Sequence, residues 1–300
     1  MNQFYSKIVL LGEYTILSGS SAITIPYRKF SARLCFPDTG ELNPEQKRSN
    51  AVLDDFCKYL MKNQNDKKFA INLPRFEKDI QMGLHLESSI PEKYGLGSSG
   101  ALVAAVVNHY LPVNLKELNY TDLKQFLAGA ESFFHGNSSG IDPFCIYLNE
   151  PLCFKGSAIK IIDSGSIKSL LNRFFLFDTG IQASTENLVA VYYGSLKSKK
   201  KKTLLKSYIR NVDSAVTKLI EGDTTGLYYA VSKISEFQYF YFQSMIPEKI
   251  RELWYKGIQT HDYIFKLCGS GGGGYVLVFS LKSRQKIEEI IGKKILPVLN

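Results

Sequence analysis

Apolar and polar residues fall in short runs over the first third of the chain, and these runs predict strands. "KIVLLGEYTIL" (7–17), "SAITIP" (21–26) and "SARLCF" (31–36) are rich in β-branched and large apolar residues, with Gly-Ser and Pro between them. Residues 45–64 carry a helical pattern, and "FAINL" (69–73) reads as one more strand. Two helices follow. Residues 99–110 are apolar nearly all round, which predicts a buried helix, whereas 121–135 show a single apolar face. After "SSGIDP" short strands return around 152–162 and 174–179. The second half is mainly helical from 184 to 260, with a lysine-rich break near 197–202. It closes on strand "IFKLC", a glycine turn "GSGGGG", strand "YVLVFS", a charged helix over 282–292 and a last apolar segment. The pattern is α+β in two parts, 1–165 and 166–300, with no internal repeat and no low-complexity linker.

Composition narrows what such a fold does. The chain has 300 residues, 45% hydrophobic and 22% charged, which is an ordinary globular balance with enough length for a sizeable core. Its longest apolar runs, "ALVAAVV" (101–107) and "KIVLL" (7–11), fall short of the ~18–20 residues that span a bilayer. The N-terminal stretch has a glutamate and a glycine inside its apolar part and no cleavage-site pattern. A cytoplasmic protein with no membrane partner is expected. Five cysteines (Cys35, Cys57, Cys145, Cys153, Cys268) are dispersed with no C-x-x-C pair, and the four histidines never sit three or four apart. Neither a disulfide framework nor a protein-held transition metal is expected. The net charge of +9 is concentrated in one run, "KSKKKK" at 197–202, read as a solvated loop. Nucleic-acid binding would interleave basic and aromatic residues across a face, so no nucleic-acid partner is expected. A polyanionic small-molecule substrate suits a basic protein.

The stretch "YGLGSSGALVAAVV" (94–107) opens with Gly95-Leu96-Gly97-Ser98-Ser99-Gly100, a G-x-G-x-x-G string. A dinucleotide fingerprint would follow a buried strand and lead to an acid about 20 residues on. Here "LESSIPEKY" precedes it, with Pro91 close by, and the acid at that distance, Glu117, lies in polar "NLKELNY". No Walker A string occurs either. What remains is a loop of small residues running into an apolar helix that starts near Ser98 or Ser99. Free N–H groups at such a helix start attract anions, and the serine hydroxyls can cap the helix, bond a phosphate or ligate Mg²⁺. A plain N-cap role for Ser98 is the alternative.

"GNSSG" (136–140) matches a hydrolase nucleophile elbow, with Ser138 as nucleophile and Asp142 and His261 as partners. An elbow turns from strand to helix, however, and this string follows a helical pattern. Pro143 is expected to keep Asp142 out of helical geometry. The hydrolase reading is therefore set aside.

Four pieces, "SKIVLLGEYTILSGSSAITIP", "PEKYGLGSSGA" (91–101), "ESFFHGNSSGIDP" (131–143) and "KLCGSGGGG" (266–274), resemble in order the motifs of the GHMP small-molecule kinases. The third piece is most similar to the mevalonate kinase signature E-x-x-x-H-G-x-x-S-G-[IV]-D. "DTGIQAST" (178–185) also resembles a stretch of the mevalonate and phosphomevalonate kinases. The resemblance implies an ATP- and Mg²⁺-dependent kinase phosphorylating the primary alcohol of mevalonate. Its fold would be an N-terminal α+β domain with a left-handed βαβ unit and a ferredoxin-like C-terminal domain, and homodimers are common among mevalonate kinases. By resemblance, backbone N–H groups from Gly95, Leu96, Gly97, Ser98, Ser99 and Gly100 wrap the ATP phosphates, and Ser99 and Glu131 ligate Mg²⁺. Asp142 is the catalytic aspartate, taking or orienting the proton of the acceptor hydroxyl, and Lys7 pairs with it. Glu13 and Tyr14 stand where mevalonate kinases carry Glu-His against substrate, and Gly271 and Gly272 bring backbone toward the site. The chain departs from the pattern at Tyr14, at Tyr5-Ser6 in place of Pro-Gly, at Gly100 in place of alanine, and at Cys268 and Ser270. These departures bear on the acceptor more than on phosphoryl transfer.

Overall fold

The computed structural model describes the chain except residues 39, 64–68, 112–118, 184–187, 189–191, 193–198, 270 and 300; of 199–202 it describes the backbone alone. Five strands form one sheet: β1 (Gln3–Leu11), β2 (Ser21–Cys35), β3 (His85–Ser88), β4 (Leu152–Lys155) and β5 (Ala158–Ile161). Their order is β1-β2-β4-β5, with β3 also paired to β2. β2 is antiparallel to β4 at 21–24 and to β3 at 32–35. "SAITIP" and "SARLCF" are thus one 15-residue strand rather than two. Pro26 falls between these two ladders, where its missing donor costs no bond to β3 or β4. A second sheet of β6 (Phe174–Asp178), β7 (Ile264–Leu267), β8 (Tyr275–Phe279) and β9 (Leu296–Pro297) runs in the order β7-β8-β6-β9, antiparallel throughout.

The chain divides into two compact units. One comprises Met1–Lys7, Arg28–Pro91 and Gly97–Asn149, and the other Ile8–Tyr27, Glu92–Leu96 and Glu150–Asn300. The first holds the helices α1 (Pro44–Asn63), α2 (Leu73–Gln81), α3 (Ser98–Tyr110), α4 (Tyr120–His135) and α5 (Ile141–Leu148). α3 is its central rod: every residue from Gly100 to Val107 is buried, as an all-apolar helix requires. Phe76 against Tyr110 (4.6 Å between ring centroids) and Phe69 stacked on Phe126 (4.8 Å) fill the space around it. The second unit carries α6 (Ser164–Leu171), α7 (Lys199–Glu221), α8 (Thr224–Tyr241), α9 (Glu248–Thr260) and α10 (Arg284–Ile291) with the second sheet. Trp254, fully buried on α9, donates its indole N–H to Ser235 Oγ at 2.9 Å.

Three local expectations are corrected. "FAINL" is no strand: Asn72 caps α2 by accepting from the Arg75 N–H at 3.1 Å, and Pro74 sits in its first turn. An Asn cap followed by a first-turn proline is a helix start, and it outweighs the apolar run before it. The lysine run marks no break from residue 199 onward, where α7 has begun; 197 and 198 lie outside the described residues. Pro143 does not exclude Asp142 from a helix, because α5 begins at Ile141 and places both in its first turn. There the missing N–H of proline is one that would have no intrahelical partner in any case. Among the described residues no helix is long and apolar enough to cross a membrane.

Candidate active site

Lys7 lies on β1 with its side chain only 2% exposed, and its Nζ donates to Asp142 Oδ2 at 2.9 Å; the Asp142 side chain is 34% exposed. The sequence holds these residues 135 positions apart, and the first unit brings them together. The lysine stem is boxed by Gly97, where an added Cβ would sit 3.1 Å from Lys7 Cε and 2.9 Å from Ile146 Cδ1. Gly97 has φ +82° and forms the N-cap of α3, so both its conformation and its lack of a side chain are required. Ser98 is therefore the first residue of the helix and not its cap.

The starts of α3 and α5 touch. A Cβ on Gly100 would lie 2.9 Å from Pro143 N and 3.0 Å from Asp142 C, which gives a physical reason for glycine where the resemblance leads one to expect alanine. Two helix N-termini with partial positive charge thus converge beside Asp142; at α5 the Gly140 and Ile141 N–H groups are taken by Ser138 Oγ and Ser139 Oγ, whereas the start of α3 has no side-chain cap. Ala101 N–H reaches back to Gly97 O at 2.9 Å and closes the first turn of α3.

Glu131 comes from the face of α4 turned toward this junction and is 4% exposed. Ser99 Oγ donates to Glu131 Oε1 at 3.2 Å, Ser138 Oγ donates to Glu131 Oε2, and His135 Nε2 lies 3.2 Å from Ser99 Oγ. Burial first, and then the nearby charge of Asp142, push the Glu131 carboxyl up to about 7. A buried carboxylate facing a like charge is an environment that a cation relieves. Ser99 and Glu131 supply two oxygens of the kind Mg²⁺ takes. Among the described residues no group of three or more His, Cys, Asp or Glu could hold a metal, so a divalent ion here would complete its shell from phosphate and water. Ser138 is no nucleophile elbow: it follows a helix and serves Glu131. Its part, and that of His135, were missed in the sequence; the spacing of His135 four residues after Glu131 was the available signal.

The second unit contains the other singled-out residues. Glu13 is 6% exposed, and both of its carboxylate oxygens are engaged: Oε1 accepts from Gln238 Nε2 at 2.6 Å and Oε2 from Lys266 Nζ. Lys266 Nζ also donates to Leu267 O at 2.7 Å, Gln238 Nε2 to Tyr208 OH at 2.8 Å, and Leu267 N–H to Gln238 Oε1 at 2.9 Å. Burial pushes the Glu13 carboxyl up, and the ammonium of Lys266 offsets only part of that rise. Tyr14, at φ 60°, stacks on Tyr192 with centroids 5.4 Å apart. The lysine inside apolar "IFKLC" was the visible sign of a buried partner, and it was passed over.

Gly95 and Leu96 also belong to this unit. The glycine run packs on the residues leading into them: a Cβ on Gly274 would fall 2.6 Å from Tyr94 Cα, and one on Gly95 3.0 Å from Cys268 O. Gly271 and Gly272 are closed in by Met245 O and by the Leu188 side chain, at 2.9 and 2.7 Å from an added Cβ. Of "DTGIQAST", Thr179 Oγ1 donates to Gly274 O at 2.7 Å, while Ser184 and Thr185, like Glu117 and Ser270, lie outside the described residues.

The family described as "GHMP kinases N terminal domain" matches residues 59–149, which carry the glycine loop, Glu131 and Asp142. Mevalonate kinase of Pyrococcus abyssi is 23% identical over 95% of this chain and 90% of its own length. The solved mevalonate kinase of Methanococcus jannaschii superposes with a TM-score of 0.64 at 18% identity, over 98% of this chain and 95% of that one. A Streptococcus pneumoniae phosphomevalonate kinase, solved with phosphomevalonate and AMPPNP, gives a TM-score of 0.58 at 17% identity, over 97% and 95% of the two chains. With residues 59–149 matching the GHMP kinase N-terminal domain and the fold of those enzymes along nearly its whole length, the chain resembles the GHMP kinase superfamily and, within it, mevalonate kinase.

Proposed function

We propose that the protein transfers the γ-phosphoryl group of ATP to the primary hydroxyl of (R)-mevalonate, giving 5-phosphomevalonate and ADP. The observation that carries the reading is the buried Lys7 held 2.9 Å from a partly exposed Asp142, at the meeting of two helix N-termini. Phosphoryl transfer asks a protein mainly for positioning and for neutralisation of charge. The N–H groups at the start of α3 suit phosphate oxygens. Asp142 accepts or orients the proton of the acceptor hydroxyl, and the Lys7 ammonium lowers the pKa of that hydroxyl by its charge. Ser99 and Glu131 would hold Mg²⁺, which when bound supplies charge neutralisation at the phosphates. The mevalonate kinases among the relatives support the acceptor.

Tyr14 favours a second reading. It replaces the histidine usual in mevalonate kinases, and "GEY" is more like the phosphomevalonate kinases. An ADP-release assay over mevalonate, phosphomevalonate, homoserine and sugars decides. Turnover with mevalonate and not with the others is expected. Turnover with phosphomevalonate alone selects the second reading. ATP binding with no turnover across the panel would leave a nucleotide-binding module.

A further inference from the structure

The turn between α4 and α5 places Ser138 between two groups of different kinds. Its Oγ donates to Glu131 Oε2, and the same oxygen accepts from the Gly140 N–H at 3.0 Å. Gly140 is the N-cap of α5, at φ +70°, and is wedged against α4: a Cβ there would lie 2.3 Å from Lys124 O. One hydroxyl therefore links the carboxylate of α4 to the residue from which α5, and with it Asp142, sets out.

A glutamate side chain turns about three bonds, and burial alone does not fix the plane of its carboxylate. Glu131 has one oxygen held by Ser138 and the other beside Ser99 at 3.2 Å. Removing the Ser138 hydroxyl frees the carboxylate plane and strips a donor from a buried acceptor. Partners of this kind orient a ligand without touching the metal, and their loss typically weakens metal binding by about 10–100-fold.

We propose that Ser138 is a positioning residue that holds Glu131 in the orientation presenting Oε1, beside Ser99, to a divalent cation, and that ties this carboxylate to the start of α5. The proposal rests on the reading of Ser99 and Glu131 as cation ligands. It goes beyond the resemblance, whose signature leaves this position unspecified. A local role alone, in which Ser138 merely closes the turn onto the Gly140 N–H, would leave cation affinity untouched.

Mn²⁺ titration of the full chain with a non-hydrolysable ATP analogue, followed by electron paramagnetic resonance of the free ion, separates the two. Ser138→Ala is expected to weaken Mn²⁺ binding about 10–100-fold, and Ser138→Thr to restore most of it. If the alanine variant fails to fold, Ser138→Cys keeps the volume with a weaker donor and is expected to shift affinity in the same direction. Glu131→Gln is the control for the underlying reading and should bind Mn²⁺ more weakly still. Wild-type affinity in Ser138→Ala beside a weakened Glu131→Gln overturns the role of Ser138 and leaves the cation site standing. The same result with a lowered melting temperature would show Ser138 to be structural, which also overturns it. Wild-type affinity in Glu131→Gln removes the cation site, and the proposal with it.

Discussion

Each unit of the molecule buries a lysine against a carboxylate, and the two pairs differ in how much of the carboxylate is left open. Lys266 and Glu13 are 1% and 4% exposed at their side chains, and the oxygens of Glu13 and Gln238 are all taken up by neighbours. Lys7 is as deeply buried, yet its partner Asp142 keeps 34% of its side chain exposed. Around Asp142 stand helix N-termini and a second carboxylate pushed up to about 7 by burial and by the Asp142 charge. A closed, fully satisfied pair has nothing left to offer a ligand. An open pair held beside a second carboxylate and the start of α3 is poised to take one. Burial of charge alone therefore does not mark a reactive site; burial on one side with exposure on the other does.

The largest effect that sharpens the contrast is on turnover. Asp142→Ala is expected to lower kcat by about 10²–10⁴ while ATP binding stays nearly intact, because a proton-handling group acts in the transition state and not in nucleotide binding. Single-turnover assays and nucleotide titration check it. Near-wild-type turnover would strip the open pair of its role.

The closed pair should answer in stability. Lys266→Met leaves Glu13 buried without its cation, which costs about 3–5 kcal/mol of folding free energy, and adding Glu13→Gln should recover much of that loss. Urea unfolding of the single and double variants measures both. A wild-type midpoint with a raised acceptor KM would instead place this pair at the acceptor.

Glu131 adds a pH dependence whose sign runs opposite to that of an ordinary ion-paired acid. Burial pushes its carboxyl up to about 7 in the fold, from an ordinary value of 4.5, so between these values the folded chain holds a proton that the unfolded chain has lost. Stability contributed by this group is then full below the unfolded value and falls as pH rises through the folded one, by on the order of 3 kcal/mol in total. Melting temperatures from pH 5 to 8 in metal-free buffer should decline more steeply in the wild type than in Glu131→Gln. Equal slopes would contradict this origin of the shift.

What was legible in the sequence follows from how local each signal is. The all-apolar pattern of 101–107 announced a buried helix, and α3 is one, because periodicity is carried by neighbours along the chain. The α5 helix was hidden by a rule about the residue before proline that yields in a first turn. The pairing of Lys7 with Asp142 was expected from resemblance. Lys266 with Glu13 was not: a lysine inside apolar "IFKLC" signals that a buried partner exists, but nothing in either stretch says which residue, some 250 positions away, it is. Ser138 stood in plain view and was weighed only as a nucleophile. Which group it would donate to depends on the rotation of α4 against the following turn, and that is set by packing around Gly140.

The smallest effect tests how tightly the open site is built. Gly100 and Gly129 are both helical glycines, and on helix propensity alone alanine at either should stabilise by up to about 1 kcal/mol. At Gly129 an added Cβ meets nothing within 4 Å, so Gly129→Ala should show that gain. At Gly100 the same methyl would meet backbone, Pro143 N at 2.9 Å and Asp142 C at 3.0 Å, and backbone cannot step aside as a flexible side chain can. α5 must then shift by a few tenths of an ångström, at a cost of about 1–3 kcal/mol. Because Asp142 rides on that first turn, the shift also moves the carboxylate relative to Lys7. Gly100→Ala should thus lower the urea midpoint and kcat together, whereas Gly129→Ala raises the midpoint and leaves kcat alone. If the two alanines behave alike, the close meeting of α3 and α5 is not what holds Asp142 in place.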